Sequence, residues 1–303
     1  DATSERVDPT LREIPLPELN ERIAQRDALP FTVWDGRVRM SVAGLQDKLL
    51  VYLDAPPEQG GRLWLVDGQQ LASTHILKPD TGRPRTPHLA VNEHFCMRLA
   101  RRMGLPAAEV ALIRTPRPVL LVERFDRVCE QPDRIRRLHM VDVCQACDLP
   151  VSHKYERNLG SGREVQHIRD GASFERLFGC AGMTANKATA RLTLLRWALF
   201  QFLIGNSDAH GKNFSFLVKD RGLLEPAPWY DLVSVLQYEG LDTELAMAWG
   251  DVFVHAEVSP FAVADFAARC GVPRVLLRRE GQRLAQLARE AALAQADDAT
   301  YLK

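Results

Sequence analysis

The chain has 303 residues, 46% hydrophobic and 26% charged, with Lys plus Arg and Asp plus Glu balanced at 39 each. That is enough apolar material for one large domain or two lobes. A formal net charge of zero excludes a global basic field that would recruit nucleic acid.

Residues 1–36 are charged and interrupted by proline, and read as an N-terminal extension with one helix over 16–28. From residue 37 the pattern is strand-like, with strands expected at 37–42, 48–54, 62–66 and 74–77. The first two flank a turn at Ala43-Gly44-Leu45-Gln46. A polar loop at 79–87 leads into a helix over 89–103, whose Leu89, Phe95, Leu99 and Met103 share a face. Gly104 is placed to end that helix as a C-cap. Strands at 109–113 and 118–122 follow, so 37–126 reads as a β-rich lobe carrying one helix. The remainder, 127–303, reads as mainly helical. Its strongest helix is 186–204, apolar at Leu192, Leu195, Leu199, Phe202 and Leu203, and helices at 260–270 and 273–294 close the chain. The fold class expected is α+β, with a small β-rich N-terminal lobe and a larger helical C-terminal lobe.

The six cysteines, Cys96, Cys129, Cys144, Cys147, Cys180 and Cys270, form no disulfide framework in a chain this long. Cys144 and Cys147 make a lone C-x-x-C without the second ligand pair that zinc needs, so buried structural thiols are expected. There is no signal peptide and no apolar run long enough to cross a bilayer, which suits a cytoplasmic protein without a membrane partner. The chain opens on Asp1 rather than Met, so an upstream segment is expected.

The segment from Gly205 to Phe214 carries the chemistry. It runs from the apolar helix to a strand at 214–218, and holds Asp208 and, after four intervening residues, Asn213. That is the spacing of a protein-kinase catalytic loop, in which the Asp accepts the proton of an attacking hydroxyl and the Asn holds magnesium. A second carboxylate, Asp231 in Trp229-Tyr230-Asp231-Leu232, is placed to be the second magnesium ligand. Lys78 ends an apolar strand and can neutralise nucleotide phosphates, and Glu93 lies on the next helix where a partner for that lysine is expected. Gly44 is the one glycine in 41–48, too few for an ordinary glycine-rich phosphate loop. His210 belongs to no metal-ligand pattern, and a loop-holding role by hydrogen bonds suits it.

These segments together resemble the HipA-like serine/threonine kinases of bacterial toxin–antitoxin systems. The resemblance runs in order through Ser41-Val42-Ala43-Gly44-Leu45-Gln46-Asp47-Lys48, His75-Ile76-Leu77-Lys78, Asn92-Glu93, and Val122-Glu123-Arg124-Phe125-Asp126-Arg127. It continues through Cys144-Gln145, Leu149-Pro150, Lys154-Tyr155-Glu156, the 205–214 loop and Tyr230-Asp231. It implies a bilobal kinase fold with ATP between the lobes, magnesium, and transfer to a protein serine or threonine. Family targets are aminoacyl-tRNA synthetases, whose phosphorylation stops translation and growth.

By the same resemblance Asp208 is the catalytic base, and Asn213 and Asp231 bind magnesium. Lys78 contacts the phosphates, and Glu123 and Phe125 sit at the adenine-binding linker. Ser41, Ala43, Gly44, His210 and Lys212 complete the nucleotide contacts, with Ser41 autophosphorylated. The implied partner is a helix-turn-helix antitoxin through which DNA is reached indirectly. HipA-like proteins carry a longer stretch, including a small β-rich module, before the Ser41 motif, where this chain has 40 residues. Either that module is cut away here or a separate small protein supplies it. Two other readings stay open: a small-molecule or lipid kinase of related fold, and a catalytically quiet co-repressor acting with its antitoxin.

Overall fold

The computed structural model describes residues 10–39, 46–67, 71–131 and 134–301. Ser41, Ala43 and Gly44 therefore lie outside the described residues. The chain divides into two compact units, one of residues 1–94 and 108–138, the other of 95–107 and 139–303.

The first unit is built on an antiparallel six-stranded sheet. In chain order its elements are β1 (Thr10–Ile14), α1 (Leu16–Ala24), the two-residue pair β2 (Val33–Trp34) and β3 (Arg37–Val38), β4 (Leu49–Leu53), β5 (Leu63–Asp67), β6 (His75–Pro79), the start of α2 (Leu89–Arg102) as far as residue 94, β7 (Val110–Arg114) and β8 (Pro118–Glu123). A hairpin of β9 (Arg127–Gln131) and β10 (Arg134–Arg137) completes it. The sheet order is β1-β5-β4-β6-β8-β7. β4 shows why it forms: Leu49, Val51 and Leu53 are buried while Leu50 and Tyr52 are half-buried, the two-residue period of a strand with one core face. Those residues join Ile14, Leu19, Ile23, Phe31, Trp34 and Leu77 in one apolar core. Residues 10–36 are thus part of this unit's architecture, with β1 paired along β5 and α1 contributing Leu19 and Ile23 to its core. Only 16–24 of the expected 16–28 is helical.

Helix α2 ends as expected. Gly104 has φ +72°, the Leu105 amide bonds to the Ala100 carbonyl at 2.9 Å, and the Gly104 amide bonds to Arg101, which closes the helix in a left-handed cap.

The second unit contains β11 (Met140–Asp142), α3 (Val143–Ala146), α4 (Phe174–Gly179), α5 (Lys187–Leu203), β12 (Ser215–Val218), β13 (Leu224–Pro226), β14 (Glu244–Trp249), β15 (Val252–Val254), α6 (Pro260–Arg269) and α7 (Arg274–Ala296). It is less purely helical than its composition suggests, because β11-β12-β13 form a small sheet and β14-β15 a hairpin. α5 is capped by Asn186, whose side chain accepts from the Thr189 amide at 3.0 Å. Leu194, Leu195, Trp197, Ala198 and Phe200 are buried around much of its circumference, as an interior helix requires. Around it Phe174 meets Trp197, Trp249 and Phe266 edge-on, with ring centroids 5.1–6.5 Å apart. Among the described residues no helix is long and apolar enough to cross a membrane.

Four cysteines, Cys96, Cys144, Cys180 and Cys270, are buried as expected of structural thiols. Cys147 is half-exposed and Cys129 exposed, so the expectation fails for those two, which lie at a helix end and on a hairpin.

Candidate active site

The second unit gathers the loop residues. α5 stops at Leu203 because Gly205 turns left-handed at φ +64°, with the Asn206 amide bonded back to the Gln201 carbonyl at 2.9 Å. A Cβ on Gly205 would also lie 3.1 Å from the Leu236 side chain. The loop leaves the helix here and returns as β12. Phe214, buried against Trp197 at 5.4 Å, anchors its far end. The amide of Val143, at the head of α3, bonds to both the Gly211 and Phe214 carbonyls at 3.1 Å. Gly211 is packed so closely that a Cβ would sit 2.4 Å from the Ala172 Cβ and 3.0 Å from the Cys144 Sγ.

Asp208 is half-buried. The Tyr155 hydroxyl donates to its Oδ1 at 2.8 Å, leaving Oδ2 without a protein hydrogen bond among the described residues. Burial, and then the charge of Asp208, push the Tyr155 phenol well above its ordinary value, so it remains a donor. The loop backbone is fixed by Asn206, which is buried. Its side-chain oxygen accepts from the Asp208 amide at 3.2 Å, and its nitrogen donates to Gln201 Oε1 at 2.8 Å and to the Asp231 carbonyl at 3.3 Å. One amide side chain thus ties the residue proposed as base to the residue proposed as metal ligand.

Asn213 and Asp231 come together. Asn213 Nδ2 lies 3.4 Å from Asp231 Oδ2, and Asn213 Oδ1 is buried with no hydrogen-bond partner among the described residues. A buried carbonyl oxygen left unpaired is costly, of order 1–3 kcal/mol. Beside a carboxylate, it suits a hard cation that takes oxygen ligands. The residues present therefore fit magnesium. Asp231 itself adopts φ +52°, a left-handed conformation that Asp tolerates better than most residues. Just before it, Tyr230 donates its hydroxyl to the Lys212 carbonyl at 2.8 Å and pairs with Ser215 Oγ at 2.6 Å.

His210 and Lys212 have partners inside the protein. Lys212 Nζ is 2.6 Å from Asp142 Oδ2, while Asp142 Oδ1 caps α3 by accepting from the Gln145 amide at 2.8 Å. His210 Nε2 is 3.0 Å from Lys154 Nζ. An ammonium can only donate, so Nε2 accepts and the ring is neutral, its proton on Nδ1. The Lys212 amide, 3.3 Å from Nδ1, is then a contact rather than a second hydrogen bond. Burial holds the imidazole down to about 4, against the opposing pull of Asp208.

In the first unit Lys78 Nζ is 2.5 Å from Glu93 Oε1, with both side chains almost wholly buried. This is the lysine–glutamate pairing that the order of strand and helix suggested. Glu123 ends β8 opposite His75, its amide bonded to the Glu109 carbonyl at 2.9 Å, and Phe125 is half-buried just beyond. Asp126 is pinned by Arg124 at 2.8 Å and Arg127 at 2.6 Å. Burial pushes its carboxyl up, but these two guanidiniums outweigh that and hold it below the usual carboxylate range.

Sequence reasoning gave no role to Tyr155, Lys154, Asn206 or Asp142. Tyr155 touches Asp208 across 53 positions of sequence, and no local period or spacing signals such a contact.

A family model described as the HipA-like C-terminal domain matches residues 40–296. The serine/threonine-protein kinase toxin HipA of Shewanella oneidensis is 43% identical over 278 residues, covering 91% of this chain and 62% of that protein. A Sinorhizobium fredii protein named as a kinase, Y4mE, is 38% identical over 282 residues, again covering 91% and 62%. The chain thus spans about three fifths of the length of these curated relatives. Among solved structures, HipA in a Shewanella oneidensis complex with HipB and operator DNA superposes with a TM-score of 0.84 at 38% identity, covering 99% of this chain and 70% of that one. The chain has the mixed α+β, kinase-like fold of these proteins and belongs to the HipA-like kinase family.

Proposed function

We propose that this chain is the catalytic part of a HipA-type toxin, an ATP-dependent serine/threonine protein kinase. One observation carries the reading: among the described residues Asp208 has a single carboxylate oxygen held by Tyr155 and the other open, and Asn213 presents a buried, unpaired oxygen beside Asp231. The open oxygen of Asp208 accepts the proton of the attacking hydroxyl as the phosphoryl group transfers. Asn213 Oδ1 and the Asp231 carboxylate hold magnesium, which when bound neutralises phosphate charge. Asn206 keeps the two backbones in register while this happens. Lys78, oriented by Glu93, supplies charge to the nucleotide phosphates, and Glu123 and Phe125 provide adenine contacts.

The structural relative was solved with HipB and operator DNA. We assign this chain a helix-turn-helix antitoxin of that kind, with DNA reached through it, and a protein substrate of the aminoacyl-tRNA synthetase class. Ser41 is assigned as the autophosphorylated residue.

Incubation with γ-labelled ATP, magnesium and cell lysate tests the reading. A labelled protein band, and phosphate on the Ser41 peptide by mass spectrometry, are expected. Label appearing instead in a metabolite or lipid fraction would move the protein to another kinase class.

A further inference from the structure

Phosphoryl transfer needs positive charge at the group in flight, since negative charge spreads over its equatorial oxygens in the transition state. The loop around Asp208 contains two candidates for that charge, and neither is available. His210 is neutral, because its Nε2 accepts from the Lys154 ammonium. Lys212 is committed to Asp142 at 2.6 Å, and that same carboxylate caps α3.

Lys154 remains. It comes from a different segment, immediately before the tyrosine that holds Asp208. Its ammonium lies 4.7 Å from the centroid of the Tyr155 ring and 3.0 Å from His210 Nε2. It is half-buried, and no carboxylate pairs with it among the described residues. An ammonium carries three donor hydrogens, and one directed at Nε2 leaves two. A half-buried cation without a counter-ion is costly unless a ligand supplies the opposite charge. The backbone around it is fixed, since the Gly211 amide bonds to the Lys154 carbonyl at 2.9 Å and the Glu156 amide bonds to the Ala246 carbonyl at 2.9 Å.

We propose that Lys154 is a catalytic cation of this site, aimed by His210 and donating to the phosphoryl oxygens as they leave the nucleotide. The inference rests on the kinase reading and adds a residue to it. His210 is then a positioning residue: it holds one hydrogen of the ammonium and sets the direction of the other two.

Three variants separate charge from structure. Lys154→Met removes both the charge and the donor. Lys154→Gln keeps a hydrogen donor for His210 Nε2 without the charge. Lys154→Arg keeps the charge. Turnover should fall on the order of a hundredfold in Lys154→Met and Lys154→Gln alike, the typical loss for one transition-state donor, and be partly restored in Lys154→Arg, with KM for ATP little changed. A second readout does not need turnover. The extra thermal stabilisation given by magnesium, ADP and aluminium fluoride over magnesium and ADP alone should disappear in Lys154→Met and Lys154→Gln. Rescue by Gln, or an undiminished aluminium fluoride effect in Lys154→Met, would assign the lysine to structure and overturn the proposal. Wild-type protein that transfers no phosphoryl group and gains nothing from aluminium fluoride would overturn the kinase reading itself, and this inference with it.

Discussion

The ion pair between Lys78 and Glu93 makes a quantitative prediction. Its two side chains are 4% and 2% exposed and 2.5 Å apart. Removing one partner from a buried ion pair typically costs about 3–5 kcal/mol. Lys78→Met should therefore destabilise the first unit by about that much. In Lys78→Met/Glu93→Leu the pair becomes apolar and most of the loss should return, because neither charge is left in the core. Hydrogen exchange reports this locally. The amides of His75 to Lys78 in β6, bonded between β4 and β8, should exchange on the order of a few hundredfold to a few thousandfold faster in the single variant. In the double variant they should approach wild-type protection. Both proteins should be poor kinases, since both lack Lys78, so stability and activity part company in the double variant. Protection in Lys78→Met within about 1 kcal/mol of wild type, or a double variant as unstable as the sum of its singles, would refute the reasoning.

Other outcomes follow from the same geometry. His75 and His210 are both held by burial at about 4, below the value of about 6.5 they take in an unfolded chain. Between those values the unfolded chain binds more protons, so stability should be fully present above pH 6.5 and fall as pH drops toward 4; urea titrations across this range should show a shallower decline in His75→Gln. Gly211→Ala forces a Cβ to within 2.4 Å of the Ala172 Cβ and should cost about 1–3 kcal/mol in urea denaturation and lower turnover as the loop shifts. Asn213→Ala and Asp231→Ala should each shrink the magnesium-dependent part of the thermal stabilisation by ATP; equal stabilisation in both variants and wild type would make these residues structural.

What could be read from the chain was what local chemistry dictates. The strand Leu49–Leu53 announces itself by its strand-like pattern and the end of α2 by Gly104. Asp208 and Asn213 were legible because both lie on one short loop. Lys78 and Glu93 were legible because strand and helix follow each other directly. β1 was missed because its five residues follow a charged, proline-interrupted start, and β5, which completes it, lies about fifty positions on. β11, β13 and β15 were missed because three-residue strands carry no period of their own and are fixed by their partners. Lys154 and Tyr155 stand in a recognisable run of residues, yet their work depends on His210 and Asp208, more than fifty positions away. Lys212 shows the reverse: its place in the loop suggests a nucleotide contact, while its ammonium is occupied by Asp142.

The central claim is that Asp208 is the base of a phosphoryl transfer. Asp208→Asn keeps the size of the side chain, and an amide oxygen can still accept from Tyr155 at the position 2.8 Å from its hydroxyl, but proton-accepting charge is lost. Wild type and variant, matched in concentration and shown folded by circular dichroism, should be compared for label transferred from γ-labelled ATP to protein in the presence of magnesium. Transfer by Asp208→Asn should be lower on the order of a hundredfold to ten-thousandfold, the usual contribution of a positioned general base. A folded variant that transfers label at close to the wild-type rate would contradict the account.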